Sequence, residues 1–114
     1  EAIRYLKKGL IHNPESWRLH AMMGEVLYLK KNKYPEAYDY LGNALEKLNA
    51  ADAADKFDKR RVYTFMAACK EKMGAVDRAV YFYRKIQSLF PESAALENKI
   101  DTLSATLKEN AGNP

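Results

Sequence analysis

The sequence has few of the residues on which disulfide-bonded and metal-binding proteins depend. Its 114 residues include one cysteine, Cys69, and two histidines, His12 and His20. A lone cysteine cannot form an internal disulfide, and its place beside two alanines in a helical pattern indicates a buried, inert thiol. Neither histidine occurs in a metal-binding spacing such as H-E-x-x-H, so we expect no metal and no other cofactor. The cellular compartment stays open, with the cytoplasm slightly favoured.

Groups suited to catalysis are equally scarce. Catalysis needs a nucleophile beside a base, a matched acid and base, or a metal. Cys69 has no activating neighbour in sequence, His20 falls at a packed position of a helix, and the five glycines are scattered without a phosphate-binding cluster. The sequence therefore predicts a protein that is not an enzyme and has no catalytic residues.

Long apolar runs are also missing, and the excess of one charge is small. No apolar stretch approaches the roughly 18 residues that would cross a bilayer, so we expect no transmembrane segment. The net charge of +4 permits an anionic partner without requiring one. The basic run from Lys59 to Arg61 keeps RNA binding as a third hypothesis, but Asp55 and Asp58 interleave with it. A solvated helix face explains this run better, so nucleic acid is not the favoured partner.

Helical periodicity runs through the whole chain, whereas strand-type alternation is missing. Apolar residues recur at steps of three and four, for example at Leu19, Met23 and Val26, as one face of a helix requires. Asn13 and Pro14 are expected to cap and begin a helix, Pro35 and Pro91 to lie in first turns, and Gly74 to end a helix in a left-handed turn. The predicted helices are 2–11, 14–31, 35–49, 52–73, 76–89 and 92–108.

Two spaced patterns recur along these helices. In the first pattern, a small residue is followed by the other members of the pattern four, seven and twelve positions later. Its copies are Ala2, Leu6, Gly9 and Pro14; Ala37, Leu41, Ala44 and Asn49; and Ala79, Tyr83, Ile86 and Pro91. The copies of the second are His20, Met23, Gly24 and Leu27; and Tyr63, Met66, Ala67 and Lys70. Small residues in both patterns predict close crossings, with Gly24 against Ala37 and Ala67 against Ala79.

These patterns resemble the tetratricopeptide repeat, a helix-turn-helix of about 34 residues with the pattern W-x2-L-G-x2-Y, A-x3-F and P. His20 and Tyr63 stand where that pattern prefers Trp, and Lys70 stands where it prefers an aromatic residue. The resemblance implies an all-α, right-handed α-solenoid of antiparallel helix pairs in a single domain, 1–114, with about two and a half repeats. Its implied parts are the outer helix of a partial repeat at 1–13, a repeat at 14–51, a repeat with a longer first helix at 52–91, and a capping helix at 92–110.

The resemblance also implies a function. In proteins with this repeat, the inner helices line a concave groove that receives a peptide or a helix of another protein, so we expect a scaffold or adaptor. Met22 and Phe65 could instead pack against adjacent helices, and this alternative stays open. The expected partner-binding residues are Arg18, Met22, Glu25, Tyr28, Leu29, Arg61, Thr64, Phe65 and Ala68.

The first helix suggests an alternative function. It reads as an outer helix without its inner partner, so either the chain belongs to a longer array or another chain covers the open surface. In the second case, Ile3, Leu6 and Leu10 would dock onto another copy and form a dimer or a head-to-tail oligomer.

Overall fold

The computed structural model describes residues 1–51 and 55–112, with side chains in the last helix described as far as residue 109. This part of the chain contains six α-helices and no β-strand, which confirms the prediction of an all-α fold. The second helix has 13 residues and the fourth has 17. The helices are α1 (Ala2–His12), α2 (Trp17–Leu29), α3 (Tyr34–Ala50), α4 (Lys56–Lys72), α5 (Val76–Leu89) and α6 (Ala94–Gly112).

The start of α2 is determined by a serine cap. The Ser16 Oγ accepts a hydrogen bond from the Leu19 backbone N–H at 3.3 Å, which satisfies one of the free donors of the first turn. The predicted start at Pro14, with Asn13 as its cap, is therefore wrong. Asn13 instead ends α1, because its backbone N–H donates to the Gly9 carbonyl at 2.8 Å.

Side-chain caps also begin α4 and α6. An Asp55 carboxylate oxygen accepts from the Asp58 backbone N–H at 2.9 Å, and the Ser93 Oγ accepts from the Leu96 N–H at 3.3 Å. Pro91 therefore lies before α6 and not in its first turn, contrary to the prediction. The predicted beginning of the fourth helix, at residue 52, lies outside the described residues.

The turn between α4 and α5 has the left-handed residue that the sequence predicted. Gly74 has φ +79°, a backbone conformation that favours glycine because it has no Cβ. The Ala75 N–H donates to the Lys70 carbonyl at 2.9 Å, and the Gly74 N–H donates to the Glu71 carbonyl at 3.1 Å. This pair of bonds is a Schellman motif, which satisfies the last carbonyls of α4 and reverses the chain.

The helices α2 and α3 pack antiparallel. At the turn between α2 and α3, the rings of Tyr28 and Tyr34 lie 5.4 Å apart. At the opposite end of the pair, the Lys47 ammonium is 3.3 Å from the Glu15 carboxylate. The first contact joins the end of α2 to the start of α3, and the second joins the residues just before α2 to the last turn of α3. The two helices therefore run in opposite directions.

The helices α2 and α4 instead run parallel. Glu25 contacts Arg61 through an ion pair, and one turn further along both helices Tyr28 contacts Phe65. Glu25 and Arg61 are 36 positions apart in sequence, and Tyr28 and Phe65 are 37 positions apart. Because the contacts advance together along both helices, α2 and α4 run in the same direction.

The described helices form an elongated row. Backbones approach closely between consecutive helices and between α2 and α4, while α1 packs only on α2 and α6 only on α5. The molecule measures 49 × 30 × 19 Å. Its radius of gyration is 15.2 Å, which exceeds the roughly 13 Å expected for a compact domain of this length.

The α2–α3 crossing depends on a residue without a side chain. A Cβ atom on Gly24 would lie 2.6 Å from the Leu41 Cγ and 3.0 Å from the Ala37 backbone oxygen. Ala37 and Leu41 have no solvent-exposed surface. The predicted close approach of Gly24 to Ala37 is thus confirmed, and Ala67 and Ala79 are likewise fully buried in the next pair.

We predict opposite effects for two glycine-to-alanine substitutions. Gly24→Ala should lower the free energy of unfolding by roughly 1–3 kcal/mol, because the new methyl group overlaps Leu41 and the Ala37 backbone. Gly42→Ala is the matched control, since no atom lies within 4 Å of its new Cβ. It should raise stability by roughly 0.5–1 kcal/mol through helix propensity. Urea denaturation followed by circular dichroism measures both, and equal effects would contradict a close crossing at Gly24.

Candidate partner-binding surface

The predicted binding residues of α2 and α4 lie on two adjoining helix faces. On α2, Met22 and Glu25 follow Arg18 by four and seven residues, so these three residues share one stripe of the helix. The parallel arrangement of α2 and α4 brings this stripe beside its counterpart on α4. We call the combined surface the inner face. Its residues are Arg18, Met22, Glu25, Tyr28, Leu29, Arg61, Thr64, Phe65 and Ala68.

An ion pair joins the two helices across the inner face. The Arg61 guanidinium donates from its terminal nitrogen to Glu25 at 2.6 Å and from Nε to both carboxylate oxygens at 3.2 Å. These hydrogen bonds raise the pKa of Arg61 above its ordinary value. Glu25 is mostly buried while Arg61 is largely exposed. The carboxylate is therefore occupied within the chain, and Arg61 is the partner that faces solvent.

Two aromatic residues of the expected apolar strip are packed within the protein. The rings of Tyr28 and Phe65 meet edge to face with centroids 5.7 Å apart, and both residues are half-buried. Burial is the main cause that raises the pKa of Tyr28. The sequence left open whether Phe65 is free on the inner face or packs against an adjacent helix. The structure shows that it packs against α2. Ala68 is also half-buried.

Two aliphatic side chains of the inner face remain open to solvent. Met22 is 50% exposed and Leu29 is 59% exposed. They lie on the same stripe of α2, two turns apart, on either side of the Glu25–Arg61 ion pair. The strip predicted from the sequence is thus divided into a packed aromatic seam and two exposed anchors.

The remaining inner-face residues have partners on their own helices. The Arg18 guanidinium lies 4.7 Å from the centre of the Trp17 ring, in a cation–π contact. The Thr64 hydroxyl donates to the Arg60 carbonyl at 2.7 Å. Both side chains are exposed.

A groove between α4 and α6 has a volume of about 650 Å³. Its floor is formed by α5 residues, including Ile86, Leu89 and Phe90, and one wall carries Lys56 and Arg60. Sequence reasoning did not identify this groove, because its existence depends on how far α6 stands from α4. The only sequence signal was the basic run that includes Arg60.

Aromatic rings and cations cluster at one end of this groove. The Phe57 and Phe90 rings lie 5.4 Å apart, and the Arg60 guanidinium lies 4.5 Å from the centre of the Phe90 ring. The Lys56 ammonium is 5.0 Å from the same ring. Phe57 is 55% exposed.

A polar network determines where α6 lies at the other end of the groove. The Tyr83 hydroxyl donates to Glu71 at 2.6 Å, and the Lys99 ammonium lies 2.9 Å from the other oxygen of the same carboxylate. Burial first, and then the hydrogen bond to Glu71, raise the pKa of Tyr83 far above its ordinary value. Three helices, α4, α5 and α6, are therefore joined by one carboxylate.

The proposed self-association residues of α1 mostly face the protein's own core. Leu6 is only 3% exposed, and Ile3 and Leu10 are half-buried against the core. Contrary to the expectation, Leu6 is therefore not available to a second chain. The large apolar side chains that α1 does expose are Tyr5, at 77%, and Ile11, at 76%.

Cys69 and His20, the side chains considered for chemistry from the sequence, both have contacts within the protein. Cys69 is fully buried, and burial raises its pKa to about 11. The His20 Nε2 lies 2.8 Å from the Pro14 carbonyl oxygen, so the ring holds the turn before α2. Within residues 1–51 and 55–112, no group of three His, Cys, Asp or Glu residues is arranged to hold a metal ion.

In that same part of the chain, no helix combines the length and the apolar character needed to cross a membrane. Comparison with known proteins adds no identification: no protein-family model matches the chain, and no curated protein matches it. Function must therefore be inferred from the geometry of its own surfaces.

We predict that alkaline pH destabilises the fold through Cys69. In the unfolded chain the thiol ionises near its ordinary value of 9.0, whereas in the folded protein its pKa is about 11. The stabilising contribution is fully present below pH 9 and is lost as pH rises through 11. Between about pH 8 and about pH 10, the free energy of unfolding should fall by about 1 kcal/mol on this account. Urea titrations at both pH values should show a smaller fall in Cys69→Ala; an unchanged fall would contradict the prediction.

Proposed function

We propose that this chain is a non-enzymatic protein-interaction module of the tetratricopeptide type, and that its inner face binds a peptide segment or a helix of another protein. In this proposal, the antiparallel helix pairs stack as a right-handed solenoid and α6 caps one end. The chain acts as a scaffold or adaptor, so its mechanism is noncovalent and needs no cofactor.

Burial at equivalent repeat positions supports this assignment. Met23 and Met66 occupy the same position in the two inner helices, and both are buried. Ala37 and Ala79, which are equivalent in the two outer helices, have no exposed surface. Two segments with little further sequence similarity thus use the same register to form the same crossing, as a repeat requires.

The observation that carries the binding proposal is the exposure of Met22 and Leu29 on a rigid face. The Glu25–Arg61 ion pair and the packed aromatic seam fix α2 against α4, so these side chains are presented in a preformed arrangement. A preformed surface loses little conformational entropy when a ligand docks. Arg61, exposed between the two anchors, provides a polar contact that can orient the ligand.

We predict that Met22 and Leu29 are required for partner binding. The double variant Met22→Ser/Leu29→Ser should weaken binding by roughly thirty- to seven-hundredfold, since the two anchors together contribute about 2–4 kcal/mol of apolar burial. The partner would be identified by capture from the source cells with mass spectrometry, and its affinity for the purified chain measured by calorimetry.

Tyr81→Ser is the matched control for this experiment. Tyr81 is 43% exposed on α5, away from the inner face, so its loss should leave affinity and helicity unchanged. If the double variant binds as tightly as the original chain, the inner face is not the binding site.

Self-association is the second candidate function, and exposed residues of α1 support it. Ala2 and Tyr5 are exposed, whereas Ala37 and Ala79, the counterparts of Ala2, are fully buried by an inner helix. The counterpart of Tyr5 in the third copy, Phe82, is only 4% exposed. A helix from a second copy that packed on this face would repeat the contact made within the other pairs.

We predict that self-association depends on Tyr5 and not on Leu6. Tyr5→Glu should abolish any increase of mass with concentration in light scattering, because it places a charge on the exposed face of α1. Ile11→Glu is the control, since Ile11 is similarly exposed but lies on another side of the helix. A mass that stays monomeric at all concentrations, or one that Tyr5→Glu leaves unchanged, would rule out this interface.

A further inference from the structure

The groove between α4 and α6 interrupts the regular packing of the inner helices. The backbones of α2 and α4 pack directly, but among the described residues no Cα atoms of α4 and α6 come within 8 Å of each other. The Lys99–Glu71 ion pair ties α6 to the carboxyl end of α4, whereas the amino-terminal half of α4 stands apart from α6. The opening between α4 and α6 extends to α5. If α4 and α6 packed along their whole length, they would cover this part of α5.

The floor of the groove is apolar and partly open. Leu89 and Phe90 at the end of α5 are half-buried, and so is Leu96 on the α6 wall. The volume of about 650 Å³ lies within the ~300–1,000 Å³ typical of sites that enclose a ligand. An apolar group that entered here would remove these side chains from water and gain the corresponding free energy.

The α4 wall carries an excess of positive charge. Lys56 and Arg60 are four residues apart, so they lie on the same side of α4, where two like charges repel. On the opposite wall Lys99 is already paired with Glu71, and Glu92 is the one carboxylate among the residues that line the groove. After this pairing, two cations and one carboxylate remain in the lining, so the net positive charge lies at Lys56 and Arg60, beside the apolar floor.

Arg60 is held in a position suited to a carboxylate. Its guanidinium lies 4.5 Å from the centre of the Phe90 ring and 5.3 Å from that of Phe57. An arginine stacked on aromatic rings keeps the N–H groups at its edge free to form paired hydrogen bonds with a carboxylate.

We propose that the α4–α6 groove binds an acidic segment of a partner protein. In this arrangement, a large apolar side chain of the segment packs on Leu89, Phe90 and Leu96. An Asp or Glu close to it in sequence pairs with Arg60 and Lys56. Thr64 lines this groove and also belongs to the inner face, but the proposal requires neither Met22 nor Leu29, so it stands whether or not those two residues bind a partner.

The aromatic rings at this site favour a peptide over a nucleic acid. Bases of single-stranded nucleic acids bind by stacking on free aromatic faces. Here the Phe57 and Phe90 rings pack near each other, and the cations of Lys56 and Arg60 lie over them. An apolar floor with a cationic wall matches an acidic, apolar peptide better than a phosphate backbone with flat bases.

The test is a selection from a random library of displayed 12-residue peptides on the whole chain, followed by fluorescence anisotropy with the enriched peptides. We expect enrichment of peptides with Asp or Glu within four residues of Leu, Ile, Phe or Trp. Arg60→Glu should weaken their binding at least about tenfold, because it replaces the paired donor with a repelling charge. Arg84→Glu makes the same charge change at an exposed α5 position outside the groove, and should leave affinity unchanged.

A second pair of variants tests the groove without changing charge. Ala95 lines the groove, so Ala95→Trp should fill it and abolish peptide binding. Ala94→Trp, at the neighbouring exposed position outside the lining, should bind normally, with equal helicity in both variants. The Met22→Ser/Leu29→Ser variant should also bind these peptides normally, which separates this proposal from that for the inner face.

Several results would overturn the proposal. They are the absence of any enriched peptide, enrichment of sequences without acidic residues, and binding that survives both Arg60→Glu and Ala95→Trp. An oligouridine that binds with the same dependence on Arg60, while the peptides do not bind, would replace the peptide with RNA as the ligand.

Discussion

The approach of α2 to α3 at Gly24 is the contact on which the rest of the structure depends. With no Cβ at this position, Leu41 packs directly against the α2 backbone and Ala37 lies within contact distance. A larger residue would displace Leu41 and the Ala37 backbone and so separate α2 from α3. The same helix α2 is held to α4 by the seam of Tyr28 with Phe65 and by the Glu25–Arg61 ion pair. The inner face is therefore built on a helix whose packing against α3 depends on one glycine.

The two candidate surfaces differ because α4 has different neighbours on its two sides. Toward α2 it is packed, and the inner face is a rigid surface with a few exposed anchors. Toward α6 it is tied at one end through Glu71 and Lys99, while the other end leaves the floor of α5 open. A charged contact at a single point fixes the distance there without closing the remaining length. The same helix therefore contributes to a preformed face on one side and to a groove on the other.

Sequence reasoning predicted the elements well but the free surfaces less well. Helix α5 has the predicted bounds, and Gly74 makes the predicted turn, because both depend on local pattern and backbone conformation. The start of α2 was placed too early, since Ser16 and Asn13 are both suitable caps and only the fold selects between them. Phe65 and Leu6 have the right periodicity for exposed apolar positions, yet each is covered by a neighbouring helix. Periodicity shows which residues share a face, but it does not show which face a neighbour covers.

The amino-acid sequence by itself determined the all-α fold, the paired helices and the positions of the small residues at their crossings. These features depend on interactions within a helix or between helices adjacent in the chain, and such interactions leave a pattern at fixed spacing. Only the tertiary structure decided that Glu25 pairs with Arg61, and that α6 stands away from α4. Each of these features joins helices that are not adjacent in sequence, so its distance depends on the summed angles of several crossings.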